Sequence, residues 1–119
     1  MLRLAGDADV HGGIIRGVIR RLPQVDLVRV QDALPEGVSD PQVLVWVAAE
    51  NRVLLTNDRT TMISFAYERV RAGQPMPGLV VTTKHQSIGA VINDIVLITK
   101  YMSEQEIADQ QVVYLPLRS

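Results

Sequence analysis

The chain has no cysteine, only five aromatic residues in 119, and no excess of either charge, its formal net charge being −1. Without cysteine there can be no disulfide, thiolate zinc site, iron–sulfur cluster or cysteine nucleophile. Any bound metal must be held by oxygen ligands. With no positive field over the whole molecule, nucleic acid would have to be met by a local basic patch. No apolar run approaches the roughly 18 residues of a membrane span, and MLRLAGDADV lacks the uninterrupted apolar stretch of a signal peptide. A cytoplasmic protein with no membrane association is the expectation.

What is present suits a single domain over residues 1–119: 47% of the chain is hydrophobic, enough for one substantial core. Repeats, low-complexity tracts and long linkers are missing, and the Pro/Gly clusters at 34–37 and 73–78 read as turns. Leu2, Leu4 and Ala5 form a short first strand. From His11 to Leu22 the period changes, and Ile14, Ile15, Val18, Ile19 and Leu22 form one helical stripe. The segment from Val25 to Val30 is β-branched and nearly alternating, a second strand. Ser39 or Asp40, with Pro41 behind it, opens a helix, and RVLLT from Arg52 to Thr56 is a buried strand. Met62, Ile63, Ala66 and Val70 mark a third helix, MPGLVVTT a fourth strand, and Ser87 the cap of a long helix ending at Met102. Ser103 to Glu106 spells a capping box, and the segment from Gln111 to Leu115 is a last strand.

Such alternation of strand and helix predicts an α/β fold in three layers, with helices on both faces of a mostly parallel sheet of about five strands. Ligands in these sheets sit beyond the carboxyl ends of the strands. Asp7 and Asp9 follow the first strand, Asp58 follows the third, and Asp40 starts the helix that leads into it. Gathering like charges is unfavourable unless a cation, a shared proton or water separates them. Magnesium or manganese suits an all-oxygen cluster and can ready a water for attack on a phosphodiester.

LAGDADV followed by SDPQVLVWVAAENRVLLTNDRTT resembles the PIN-like domains related to VapC-type toxins, over nearly the whole chain. In that family an Asp follows the first strand, an S-D pair opens a helix, and R-V-L-L-T-x-D supplies a further Asp; Asp7, Asp40 and Asp58 stand at those positions. The resemblance implies a PIN-like fold, a metal-dependent ribonuclease with Mg2+ or Mn2+ held by Asp7, Asp40 and Asp58, and an antitoxin protein as partner. Asp9 is a fourth candidate ligand, and Asp94 a more distant one. One departure is Thr60, where the family commonly has a second acid two positions after the T-x-D aspartate. That weakens the case for a second metal.

Around the carboxylates, Thr56, Asn57 and Thr60 are supporting candidates that can hydrogen-bond a carboxylate or a water. Arg16, Arg20 and Arg21 form a basic ridge which, with Arg59, Arg69, Lys84 and His85, offers contacts to RNA phosphates. Each has a plainer reading: helix cap for Asp40, loop residue for Asp9 and His11, solvated face for the arginines. Trp46 flanks its helix stripe and reads as packing. The helix IGAVINDIVLITKYM is apolar on two sides, one stripe running from Ile88 through Val91, Ile92, Ile95 and Ile98, the other through Ala90, Leu97 and Tyr101. Burial of both sides predicts a homodimer or a neighbouring helix as cover.

Two other functions fit the same residues. A catalytically inactive PIN-like module would keep the fold and use the apolar helix to bind protein, and Thr60 favours it. A receiver-like phosphoacceptor would use Asp7, Asp9, Asp58 and Thr82, but the lysine expected after the fifth strand is missing from VVYLPLRS.

Overall fold

Three of the strands are buried on both sides, which is why they read as short continuous apolar runs rather than as alternation. In the computed structural model, which describes residues 1–117, β1 spans Leu4–Gly6, β2 Leu27–Arg29, β3 Val53–Thr56, β4 Leu79–Val81 and β5 Val112–Tyr114. Every residue of β1, β3 and β4 is buried. The strands pair in the order β2-β1-β3-β4-β5, and every pairing is parallel. Gly6 lies beside Leu55, and Leu55 beside Val80, so the carboxyl ends of the three central strands finish at one level.

Between the strands run α1 (Gly12–Arg21), α2 (Val30–Ala33), α3 (Asp40–Glu50), α4 (Thr61–Arg71), α5 (Ile88–Tyr101) and α6 (Glu104–Gln110). Alternate strand residues feed two cores. On one face Leu4, Leu55, Val80 and Val113 pack with Ile14, Ile15 and Val18 of α1 and Val91, Ile95 and Ile98 of α5. On the other, Ala5, Leu54, Leu79, Val81 and Val112 pack with Val43, Leu44 and Val47 of α3 and Met62, Ile63 and Ala66 of α4. The result is a three-layer α/β/α domain with an all-parallel sheet, the class the sequence predicts.

Helix starts follow their capping chemistry. Ser39 and Gln42 close a capping box on α3, Ser103 and Glu106 close one on α6, and the Ser87 hydroxyl accepts the Ala90 N–H at the start of α5. Strands are shorter than the apolar runs suggest, because each run continues past the last paired residue: β2 keeps only Leu27 to Arg29 of the stretch from Val25 to Val30. α2 departs from the sequence reading. It is a single turn whose preceding Arg29 makes no side-chain capping bond, so it has neither a period nor a cap to announce it.

Close packing between α1 and α5 depends on Gly17. A Cβ there would fall 2.2 Å from Ile92 Cδ1. Burial also separates the two stripes of α5: Val91, Ile95 and Ile98 are at most 2% exposed, whereas Leu97 and Tyr101 are 40% and 70% exposed. The chain's own α1 therefore covers one side and leaves the other open. Below the amino end of the sheet, buried Arg52 donates to Asp26 Oδ1 at 2.6 Å and to the Leu4 carbonyl at 3.1 Å, and lies 5.9 Å from the centre of the Trp46 ring. Trp46 is a packing residue, as its place beside the stripe implies. Among the described residues no helix is long and apolar enough to cross a membrane.

Candidate functional site

In a parallel sheet of this strand order the chain leaves β1 toward one edge and returns beyond it to β3, which opens a crevice between the carboxyl ends of β1 and β3. Asp7 is the first residue past β1, anchored by its N–H to the Leu55 carbonyl at 2.9 Å. Asp58 stands two residues past β3. Asp9 bends toward the same crevice, its Oδ1 accepting the Asn57 N–H at 3.1 Å. Asp40, the first residue of α3, completes the set from the opposite layer.

Two of the four, Asp9 and Asp40, carry raised carboxyls. Asp9 keeps open surface yet its carboxyl is held above the ordinary carboxylate value, first by desolvation on its protein side and then by the charges of Asp7, Asp58 and Asp40, against the lowering effect of the Asn57 amide. Asp40 is also raised, by burial and then by Asp7 and Asp58. Asp58 moves the other way. Burial would raise it, but the amides of Thr60, Thr61 and Met62 and the Thr60 hydroxyl hold it below the ordinary value.

These bonds give Asp58 a structural role that its sequence position conceals. Its Oδ1 accepts from the Thr60 N–H at 2.9 Å, the Thr61 N–H at 3.0 Å and the Thr60 hydroxyl at 3.3 Å, while Oδ2 accepts from the Met62 N–H at 3.3 Å. The side chain caps α4, satisfying amides that have no partner within the helix. Thr60 supports Asp58 through two of these bonds. Thr56 links the clusters: its hydroxyl donates to Asp7 Oδ2 at 2.9 Å and accepts the Asp58 N–H at 3.1 Å. Asn57 extends the network by accepting the Thr82 hydroxyl at 3.2 Å.

The basic candidates divide by position. Arg59 and Lys84, with His85, line a depression of about 270 Å³ beside Asn57, at the edge where the carboxylates lie. Neither Arg59 nor Lys84 has an ion-pair partner among the described residues. Arg16 and Arg20 lie exposed on α1, and neither lines a depression with the carboxylates. Asp94 is committed elsewhere. Its Oδ2 accepts from Gln86 Nε2 at 2.9 Å and from the Leu117 N–H at 3.2 Å, pinning α5 to the segments after β4 and β5. Sequence reasoning placed Thr82 only in the receiver-like reading and gave Thr83 and Gln86 no part, although Thr82 and Thr83 directly follow β4 and are 2% and 8% exposed. A pair of threonines at a strand's carboxyl end was the available signal.

Does this donor set suit a divalent metal? Among the described residues no group of three or more His, Asp or Glu is arranged to hold a metal ion. A closed protein cage is therefore not formed. Magnesium, however, is ordinarily held by one or two carboxylates together with waters and substrate phosphates. Asp7 and Asp40 fit that open arrangement: Asp40 accepts no hydrogen bond among the described residues, and Asp7 Oδ1 accepts only the Ala8 N–H at 2.9 Å. Asp58, with both oxygens already accepting from α4, fits it least. No protein-family model matches the chain, and no curated protein or solved structure matches it.

Proposed function

We propose that the chain is a PIN-like ribonuclease of the cytoplasm that cleaves RNA phosphodiester bonds with Mg2+ or Mn2+, acting as the toxin of a toxin–antitoxin pair. The observation that carries this reading is the gathering of Asp7, Asp9, Asp40 and Asp58 at the carboxyl ends of β1 and β3, where Asp9 and Asp40, from opposite layers, are both raised, first by burial and then by the charges of Asp7 and Asp58. Carboxylates placed where each opposes the other's ionisation are unfavourable for the fold alone and favourable for holding a cation.

In this reading Asp7 and Asp40 hold the metal, which when bound lowers the pKa of a water and neutralises charge on the phosphate. Thr56 fixes the Asp7 carboxylate through Oδ2, and the Ala8 amide holds it through Oδ1. Asp58 keeps the start of α4 rigid and adds negative charge. Asp9, held toward the crevice by the Asn57 amide, adds a further acceptor to the cluster. Arg59 and Lys84 position the RNA backbone. The open side of α5, with Leu97 and Tyr101, is the surface offered to a second copy or to an antitoxin.

One observation favours a second reading, a PIN-like module without catalysis: Asp58 is occupied as the cap of α4 and Thr60 replaces a further acid. A receiver-like reading shares the strand order but has Leu115-Pro116-Leu117 after β5 where a lysine is expected. Calorimetry with Mn2+, followed by cleavage of a labelled RNA, separates them. The nuclease reading expects binding in the parent, loss in Asp7→Asn and Asp40→Asn, and cleavage that follows the binding. A parent that neither binds Mn2+ nor cuts RNA would overturn it in favour of the module.

A further inference from the structure

Continuous with the carboxylate crevice lies a cavity of about 360 Å³ between the amino ends of α1 and α5. Ile14, Ile88 and Val91 provide an apolar wall, and Thr83, Lys84 and Gln86 provide polar groups. Its size falls in the range of small-ligand sites, and its lining sets an apolar wall against a rim of polar and charged groups. Asp9 and Asn57 belong to its lining too, so it opens onto the carboxylate crevice.

Two features point to an occupant. Ile88 is 43% exposed although it stands on this wall, so apolar surface is left in water that a flat ring would cover. Gln86 donates through Nε2 to Asp94, but its Oε1 is shielded from solvent and accepts no hydrogen bond. Buried acceptors are nearly always satisfied, and this one meets a ligand N–H when the amide turns from Asp94 toward the cavity that Gln86 lines. Thr83 Oγ1 accepts the His85 N–H at 3.1 Å, which leaves its own proton to donate. Lys84, exposed and without an ion-pair partner among the described residues, supplies a cation on the same rim.

An apolar wall for a ring, an acceptor and a donor for its edge, and a cation for an anion together describe a nucleotide. We propose that this cavity binds a nucleoside monophosphate unit, the base against Ile14, Ile88 and Val91 and the phosphate at Lys84. The unit comes either from RNA entering the crevice or from a free nucleotide. The identification of RNA as its source rests on the ribonuclease reading, whereas the binding itself does not.

The test is titration of the full chain with AMP, adenosine and ribose 5-phosphate in the presence of EDTA, followed by calorimetry and amide chemical shifts. AMP should bind, with ribose 5-phosphate weaker by about tenfold or more, because the base carries the apolar contact. Lys84→Ala should weaken AMP but leave adenosine unchanged. Ile88→Glu, at an exposed first-turn position where a carboxylate suits the helix dipole, should fold normally and lose AMP. AMP that binds no better than ribose 5-phosphate, or equally well to Ile88→Glu, would overturn the proposal. An oligonucleotide that binds at least about tenfold tighter than AMP assigns the source to RNA, and equal affinity assigns it to free nucleotide. Because the titration is run without metal, it is independent of the cleavage assay in Mn2+: nucleotide binding here with no RNA cleavage in Mn2+ refutes the nuclease alone, and cleavage in Mn2+ with no nucleotide binding here refutes the cavity alone.

Discussion

The Thr56 hydroxyl stands between two aspartates, donating to Asp7 Oδ2 at 2.9 Å and accepting the Asp58 N–H at 3.1 Å. One buried side chain, 0% exposed, thus sets the orientation of the carboxylate after β1 and the path of the chain after β3. Replacing it by valine keeps the volume but strands both partners. Thr56→Val should cost about 1–3 kcal/mol in urea unfolding, the usual penalty for groups left without a hydrogen-bond partner. The same variant should bind Mn2+ more weakly than the parent, since Asp7 is no longer held. Unchanged stability would mean that solvent satisfies Asp7 and the hydroxyl is dispensable.

Asp58 tests whether its carboxylate serves the helix or only the site. Its folded value is below the ordinary one, so its contribution to stability is present above the ordinary carboxylate value of 3.8 and is lost as pH falls through the lower folded value. Asp58→Ala removes a cap from three amides and should cost about 0.5–2 kcal/mol at neutral pH. Asp58→Asn, which can still accept from those amides, should cost less. Equal stability of parent and Asp58→Ala at neutral pH would show that water caps α4 as well as the side chain does.

Asp9 carries the opposite sign. Its folded value is raised, so its ionised form opposes folding at neutral pH, and that opposition is relieved as pH falls through the raised value toward 3.8. Asp9→Asn should therefore melt above the parent at neutral pH, with the difference closing in acid. A divalent cation should narrow the same gap by neutralising the cluster, because a ligand of the folded state alone raises its melting temperature. A lower melting point for Asp9→Asn at neutral pH would show that the Asn57 amide bond outweighs repulsion.

Much of this arrangement was legible in the residues. The rule that ligands gather beyond the carboxyl ends of parallel strands puts Asp7 and Asp58 at one edge before any coordinates exist. Ser39 with Gln42 and Ser103 with Glu106 announce their helices because a capping box needs only local contacts. What depends on distant neighbours was hidden. The capping by Asp58 looks identical in sequence to metal ligation, because the same carboxylate at the same strand end serves either purpose. The order of strands, the coverage of only one side of α5 by α1, and the cavity behind Thr83 are all set by packing between segments far apart in the chain. α2, four residues long, has too few turns to show a period.

At the opposite end of the sheet, Arg52 offers a test of stability free of the site. Its side chain is 5% exposed and bonded to Asp26 and Glu50, which remain about half open to water at 47% and 44%. Arg52→Ala would remove the guanidinium's bond to the Leu4 carbonyl and its cover over Trp46. Because Asp26 and Glu50 stay about half open to water, removing the guanidinium leaves no buried charge unpaired, and the loss should be that of a charged hydrogen bond and its packing, about 1–3 kcal/mol by denaturant unfolding. Mn2+ affinity should not change. A parallel loss of metal binding would reveal coupling through β1 and β3.

Gly17 and Ile92 decide how closely α1 approaches α5. A methyl on Gly17 would sit 2.2 Å from Ile92 Cδ1 and 3.0 Å from its Cγ1, well inside van der Waals contact. Helix propensity alone would make Gly17→Ala stabilising by about 1 kcal/mol, so the two effects oppose each other. Overpacking costs about 1–3 kcal/mol when the neighbours cannot move, and Ile92 is wedged against a core containing Val18, Val91 and Ile95. The steric term should win, and Gly17→Ala should be less stable than the parent. Adding Ile92→Ala opens the space and lets the propensity gain emerge. The double variant should therefore be more stable than Ile92→Ala alone, a coupling between contacting residues that a double-mutant cycle reads directly. Additive effects of the two substitutions would show that α1 and α5 slide apart to admit the methyl, and that their spacing is not set by this contact.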